Sequence, residues 1–363
     1  MNVLGCAVAF GMGPTGKLSS IISESQDINW FLSGDQLELG IFTSPVNYLW
    51  TKDPDEISKY IIKNSITAAV CVLDMTMARI LMNLKVRVIF VDSLPFMWTA
   101  NDNLPTEVSV YCAQRSSKIT NQDVLSGIRN LVWIDPIICK YEKKLNNQHF
   151  NAVVNFGGVS SPLGKNKDYL NCVLPAVMNA LYIRFGSDMK MVITTSSNMV
   201  KDIEAILEFV PAYMRSSLSI TTLDQSTFNG TVEDCDVLIT SPGLTTILET
   251  SQMEIPTVLL PPQNLSQFYN SIFAESFLVY SKRINWDIDE LAFEKVIKQS
   301  ANGERSVVEY IYKNISLYWE KFGPYGLSSK IEDAITSSFV ENTYAESRIA
   351  SFRGTETVLS YIY

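Results

Sequence analysis

Ser241-Pro242-Gly243-Leu244-Thr245-Thr246, followed by Glu249, brings a glycine turn, hydroxyl side chains and one carboxylate into nine positions. Val237 to Thr240 before it reads as a buried strand, and Thr245 to Ser251 as a helix. A helix that starts at a strand's C-terminal end presents free N–H groups and a positive dipole end, which suit a phosphate. Glu249, one turn further in, is placed to accept hydrogen bonds from sugar hydroxyls. A second strand, Thr257 to Leu260, stops at Pro261-Pro262 and leads into Gln263, Asn264, Gln267 and Asn270, amides able to read hydroxyls.

Two further glycine turns follow strands in equivalent places. Asn155-Phe156-Gly157-Gly158-Val159-Ser160-Ser161 would let the main chain close on a diphosphate, with the serine hydroxyls as added donors. The alternative is a tight turn with no ligand. Thr194 to Ser197, including Thr195, ends the next strand as either a helix cap or a wall of the same site. Gly11-Met12-Gly13-Pro14-Thr15-Gly16-Lys17-Leu18 nearly spells a Walker A loop, but Leu18 stands where a Mg²⁺-binding Ser or Thr is required. Its plainer reading is a flexible strand-to-helix turn.

In the first half, Asp74 and Asp92 end apolar strand-like runs, where a general base is expected. Each has a structural alternative, Asp74 as the cap of a helix from Met75 to Leu84 and Asp92 as the cap of the turn through Ser93. Trp98, in the loop after Asp92, suits a flat or sugar-like ligand and equally suits core packing.

The elements needed to position these residues are legible as an α/β alternation. Strands are expected at 3–10, 41–43, 68–73, 86–91 and 108–112, and again at 152–155, 190–194, 218–222, 237–240 and 257–260. Helices are expected at 200–209 and 287–299. The strands are near-continuous apolar runs, as in parallel sheets covered on both faces. The charged, amide-rich stretch KYEKKLNNQHF separates two doubly wound, Rossmann-like domains, 1–145 and 151–330, facing across a cleft. A terminal segment, 331–363, is expected to fold back on the first domain.

Composition narrows the function. The 363 residues suffice for two cores, and a net charge of −9 argues against a broad nucleic-acid surface. Six widely spaced cysteines without a CxxC pair read as buried thiols, and a single histidine, His149, makes a His-rich metal site improbable. No metal is expected. No apolar run approaches the roughly 20 residues of a membrane span, and the N-terminus lacks a basic n-region, so a cytoplasmic location is expected.

Gly157-Gly158, then Gly243, Thr246 and Glu249, then Pro261, Gln263, Gln267, Asn270 and Ser271 together resemble the GT-B glycosyltransferases. The likeness is strongest to the group containing the UDP-N-acetylglucosamine transferase of peptidoglycan synthesis and the natural-product glycosyltransferases. It covers about 120 residues of the second half. The resemblance implies an inverting, metal-independent transfer of a sugar from a UDP- or dTDP-linked donor, a co-substrate rather than a cofactor, to a small-molecule acceptor. It implies that the glycine turns hold the diphosphate, Glu249 the ribose, and the amide tail the sugar; Gly11, Gly13, Thr15 and Gly16 then match the family's acceptor-side loop. Many members place a catalytic histidine after that loop, and here Lys17 stands there, so Lys17, Asp74 and Asp92 are the candidates. A nucleotide-sugar hydrolase or epimerase of the same fold, and a non-catalytic partner subunit, are the alternatives; a homodimer is left open.

Overall fold

The protein is described from a computed structural model covering residues 1–9, 13–34, 42, 47–115, 122–138, 151–157, 159, 166–215, 218–222, 225–277, 281–300, 303–340 and 352–363. The chain divides into two compact units, Met1–Lys140 with Ile349–Tyr363, and Tyr141–Arg348.

The first unit runs β1 (Asn2–Ala7), α1 (Gly13–Ser23), β2 (Asn29–Ser33), β3 (Asn47–Leu49), α2 (Pro54–Lys63), β4 (Ala68–Val72), α3 (Met75–Asn83), β5 (Arg87–Asp92), β6 (Val110–Gln114), α4 (Gln122–Leu125) and β7 (Leu131–Ile134). Its seven strands pair in the order β3-β2-β1-β4-β5-β6-β7, all parallel. Successive residues of the apolar runs serve opposite faces. Val3, Val70 and Val91 pack in one core, while Leu4, Cys71 and Phe90 pack in the other against Ile57 of α2 and Leu81 of α3. Burial on both faces is why these strands read as unbroken hydrophobic runs.

The second unit runs β8 (Asn151–Asn155), α5 (Asn166–Phe185), β9 (Lys190–Thr194), α6 (Val200–Leu207), β10 (Leu218–Thr221), α7 (Gln225–Glu233), β11 (Val237–Thr240), α8 (Leu244–Gln252), β12 (Thr257–Leu259), α9 (Leu265–Phe277), β13 (Ser281–Arg283), α10 (Phe293–Ser300), α11 (Glu304–Phe322) and α12 (Ser328–Val340). Its parallel sheet has the order β10-β9-β8-β11-β12-β13. In both sheets the order reverses beside the first strand, between β1 and β4 and between β8 and β11. Such reversals open a crevice at the strands' C-terminal ends, the usual ligand position in doubly wound folds.

Helix α12 packs against α5, β12 and β13 of the second unit, whereas the last helix, α13 (Gly354–Ser360), packs against α1 and β7 of the first. Strands β2, β3, β7 and β13 were absent from the sequence expectation, whereas the expected 41–43 strand falls on residues mostly outside those described. The expected helix over 287–299 is a short 3₁₀ turn, Asp289–Leu291, and then α10.

Candidate functional site

At the reversal in the second sheet, three strands end in polar residues that bond to one another. Each strand carries an apolar run that ends in a polar last residue: NAVVN in β8, KMVIT in β9, VLIT in β11. Asn155 Oδ1 accepts from Gly157 N (2.9 Å) and from the Thr194 hydroxyl (3.1 Å), while its Nδ2 donates to Thr240 Oγ1 (3.2 Å). The Thr240 hydroxyl in turn donates to Ser241 O (3.0 Å). One amide therefore fixes the exits of all three strands. Gly157 makes this approach easy, since a Cβ on it would lie 3.1 Å from Asn155 Oδ1, a tight contact. Gly158 and Ser160 lie outside the described residues.

The turn from β11 into α8 follows directly. Gly243 is the N-cap in extended conformation, its N–H bonded to Ser241 O (2.6 Å), and no side chain caps the helix. By helix geometry, the first amides from Leu244 to Thr246 have no intrahelical acceptor. Thr245 and Thr246 are half-buried beside them, while Ser241 and Glu249 are buried. Asn270 of α9 donates Nδ2 to Pro242 O (2.9 Å). A carbonyl can only accept, so this bond fixes the amide's orientation and leaves Oδ1 as a buried acceptor without a protein donor. Thr195, just past β9, likewise carries a buried hydroxyl without a partner. Unsatisfied buried polar atoms are costly and rare, and here two of them occur in segments near the C-terminal edge of one sheet.

The rest of the amide tail is bonded within the protein. Pro261 O and Pro262 O accept from Tyr169 OH (2.9 Å) and Trp286 Nε1 (2.7 Å). Asn264 Oδ1 accepts from Gln267 N (3.0 Å) and Ser266 Oγ (2.8 Å), and Gln267 Oε1 reaches back to Gln263 N (3.0 Å). This is a variant of the capping box, and it sets the start of α9. Gln263 is wholly buried, its Oε1 accepting from Tyr312 OH (2.5 Å). These oxygens hold the scaffold that aims Asn270 at the turn. An asparagine two residues after a proline pair, just before the helix start, was the sequence signal for this role.

In the first unit the expected loop at 11–16 is already helix from Gly13, so Thr15, Gly16 and Lys17 are buried in the opening turns of α1. Gly11 is outside the described residues. Lys17 is buried and bonded within the unit. Its Nζ donates to Gln114 Oε1 and to Ile137 O, both at 3.0 Å, which ties α1 to the ends of β6 and β7. Asp92, at the end of β5, is enclosed by donors. Leu94 N (2.9 Å), Trp98 Nε1 (2.7 Å) and Tyr111 OH (2.8 Å) all point at its carboxylate. Burial pushes its pKa up to about 6 against the pull of those donors. Burial and the neighbouring Asp92 also raise that of Tyr111. The Trp98 indole is thereby a tether for the loop 94–98.

Asp74 stands apart, at the reversal between β1 and β4. Leu73 before it adopts φ +56°, a left-handed conformation costing a non-glycine residue about 1 kcal/mol. Met75 N bonds to Leu73 O (3.1 Å), closing a tight turn around Asp74. Oδ1 accepts from Met77 N (3.0 Å) and caps α3, as one sequence reading had it. Oδ2 takes no hydrogen bond and lies 3.3 Å from Lys52 Nζ. A Cβ on Gly34, after β2, would stand 3.9 Å from that oxygen, so the carboxylate faces the ends of β1 and β2.

His149 lies outside the described residues. Among those described, no group of three or more His, Cys, Asp or Glu side chains is disposed to hold a metal ion, and no helix is long and apolar enough to cross a membrane.

No protein-family model matches the chain, and no curated protein matches it in sequence. Solved structures do match it in fold. The UDP-GlcNAc 2-epimerase from Methanocaldococcus jannaschii superposes with a TM-score of 0.57 at 12% identity, over 100% of this chain and 99% of that one. The Neisseria meningitidis UDP-GlcNAc 2-epimerase bound to UDP-GlcNAc gives 0.57 at 10% identity, over 100% and 99%. The spinosyn rhamnosyltransferase SpnG, complexed with spinosyn aglycone, gives 0.50 at 11% identity, over 93% and 97%. The expected fold class is therefore observed: the chain consists of two Rossmann-like units of the GT-B type.

Proposed function

We propose that this chain is a nucleotide-sugar enzyme whose second unit holds a UDP- or dTDP-linked sugar at the C-terminal edge of its sheet. The observation that carries the reading is the β11–α8 turn. There, unpaired helix amides, Thr245, Thr246 and the buried Glu249 follow a turn clamped by Asn270, whose amide oxygen has no protein donor. Helix amides suit a diphosphate, and an amide acceptor suits a sugar hydroxyl. Gly157, Thr195 and Ser241 line the adjoining strand exits, with Gly158 and Ser160 belonging to the same glycine turn in sequence. Gln263, Asn264 and Gln267 support the site from α9.

The reaction we favour is transfer of the sugar to a small-molecule acceptor, inverting and without a metal, with the first unit serving the acceptor. Asp74 is the proposed base, because it alone of the three candidates combines a position at the sheet reversal with an oxygen outside any hydrogen bond. Lys17 and Asp92 are assigned to the scaffold.

A second reading, epimerisation or hydrolysis of the nucleotide sugar, is favoured by the fuller superposition on the UDP-GlcNAc 2-epimerases. Two measurements divide these readings. Calorimetry with UDP and dTDP tests the shared premise, which fails if neither binds. Mass spectrometry of the protein with a panel of nucleotide sugars then separates them. Turnover of donor alone supports the second reading, and turnover only with added acceptor hydroxyls supports transfer.

A further inference from the structure

Lys52 occupies the segment between β3 and α2, away from every motif that sequence reading singled out. Its ammonium nevertheless reaches the reversal point of the first sheet, where it lies 3.3 Å from Asp74 Oδ2. The two side chains differ in environment, Asp74 being 2% exposed and Lys52 25%. The carboxylate is held from below by backbone. Val8 N bonds to Val72 O (3.1 Å), Leu73 N to Val91 O (3.0 Å), and Met77 N to Oδ1, so the left-handed turn at Leu73 is locked between β1 and β5. That anchoring fixes one oxygen and leaves the other with Lys52 for orientation.

A cap alone does not require this arrangement. An N-cap carboxylate needs one oxygen on the helix amides, and Asp53 meets that need at α2, where one oxygen takes Asp55 N and Glu56 N, both at 3.0 Å, from an exposed position. At α3 the cap is instead buried, preceded by a strained leucine, placed where the strand order reverses and paired with a lysine brought from another segment. Strained backbone persists where surrounding structure enforces it, commonly at functional sites.

We propose that Lys52 is a positioning residue for Asp74: its ammonium orients Oδ2 so that a substrate hydroxyl arriving beside it meets the carboxylate without reorganisation. The proposal rests on the assignment of Asp74 as the reacting carboxylate. In that meeting the proton of the hydroxyl passes to Asp74, and the electron pair of the broken O–H bond stays on the hydroxyl oxygen. Lys52 forms and breaks no covalent bond.

The test uses the full-length chain with added acceptor hydroxyls and measures UDP release from whichever nucleotide sugar of the panel it turns over. Asp74→Asn is expected to lose at least 100-fold in kcat while still binding UDP. Lys52→Met is expected to lose about 10-fold in kcat with the nucleotide-sugar KM within twofold of wild type, and Lys52→Arg to recover most of the loss. Equal thermal midpoints of the three lysine-position proteins, wild type included, exclude a folding defect. If Lys52→Met retains wild-type kcat where Asp74→Asn is inactive, the positioning role is overturned and the assignment of Asp74 stands. If Asp74→Asn turns over normally, or the wild-type chain releases UDP from none of the sugars, the assignment of Asp74 falls and the proposal with it.

Discussion

Asp92 illustrates how a side chain can carry the marks of catalysis and serve the scaffold. It ends a central strand, it is buried, and its pKa is raised to about 6, all traits of a tuned acid or base. Yet both its oxygens are occupied, and the shift comes first from burial. The consequence is a pH-dependent stability. A carboxyl whose folded pKa exceeds its unfolded value binds its proton more tightly when folded, so its favourable contribution is complete below about pH 4 and is lost as pH rises through 6. Urea midpoints of wild type should therefore fall relative to Asp92→Asn between pH 4 and 7, by on the order of 2–3 kcal/mol in stability. Parallel profiles for the two proteins would show that the donors around Asp92 cancel the burial penalty. Glu249 offers the complementary case. Replacing it with Ala should weaken UDP binding by about 1–3 kcal/mol, read by calorimetry, if it holds the ribose hydroxyls. An unchanged affinity would assign its carboxylate to the packing of α8 alone.

Among the elements, the strand ends and the helix starts build the candidate site, and they differ in how far the sequence betrays them. Runs such as VLIT before Ser-Pro-Gly announce both a buried strand and the turn that ends it, so β11 and α8 were legible to within a residue or two. The polar last residues of β8, β9 and β11 looked like separate features, because nothing in sequence says that positions 155, 194 and 240 share one amide. β13, Ser-Lys-Arg, has no apolar pattern at all; it is an edge strand whose place comes from pairing with β12. The last helix depends on one close approach. A Cβ on Gly354 would lie 2.1 Å from Asp135 O and 2.8 Å from Pro136 O, so the backbone of α13 meets the exit of β7 directly. Gly354→Ala should lower stability by about 1–3 kcal/mol, seen as a reduced thermal midpoint, because backbone on both sides must shift. A midpoint equal to wild type would mean that α13 docks without this contact.

For the whole molecule, the repeated topology is the informative property. Both units place their first strand at the centre and reverse beside it, and in each the reversal carries a polar group held under constraint: Asn155 with its three partners, and Asp74 behind a left-handed leucine. A ligand that binds the folded chain and ignores the unfolded one stabilises it by mass action, about 2.7 kcal/mol at a hundredfold excess over Kd. UDP should accordingly raise the thermal midpoint in a concentration-dependent manner, with hydrogen-exchange protection gathering at 155–157 and 241–249. Protection elsewhere without change in those two segments would move the nucleotide site.

The amino-acid order by itself determined the α/β alternation, the two parallel sheets and the glycine turn before Glu249, because those follow from local periodicity and turn chemistry. It also placed Asp74 and Asp92 at strand ends on equal terms. Only the tertiary structure separated them, by surrounding one carboxylate with three donors and leaving an oxygen of the other to a lysine over twenty residues away in sequence. Lys17 likewise meets partners about a hundred residues away, Gln114 and Ile137. Whether a charged side chain reacts or supports depends on which distant groups meet it, and those meetings are set by the packing of sheets and helices, which no local pattern encodes.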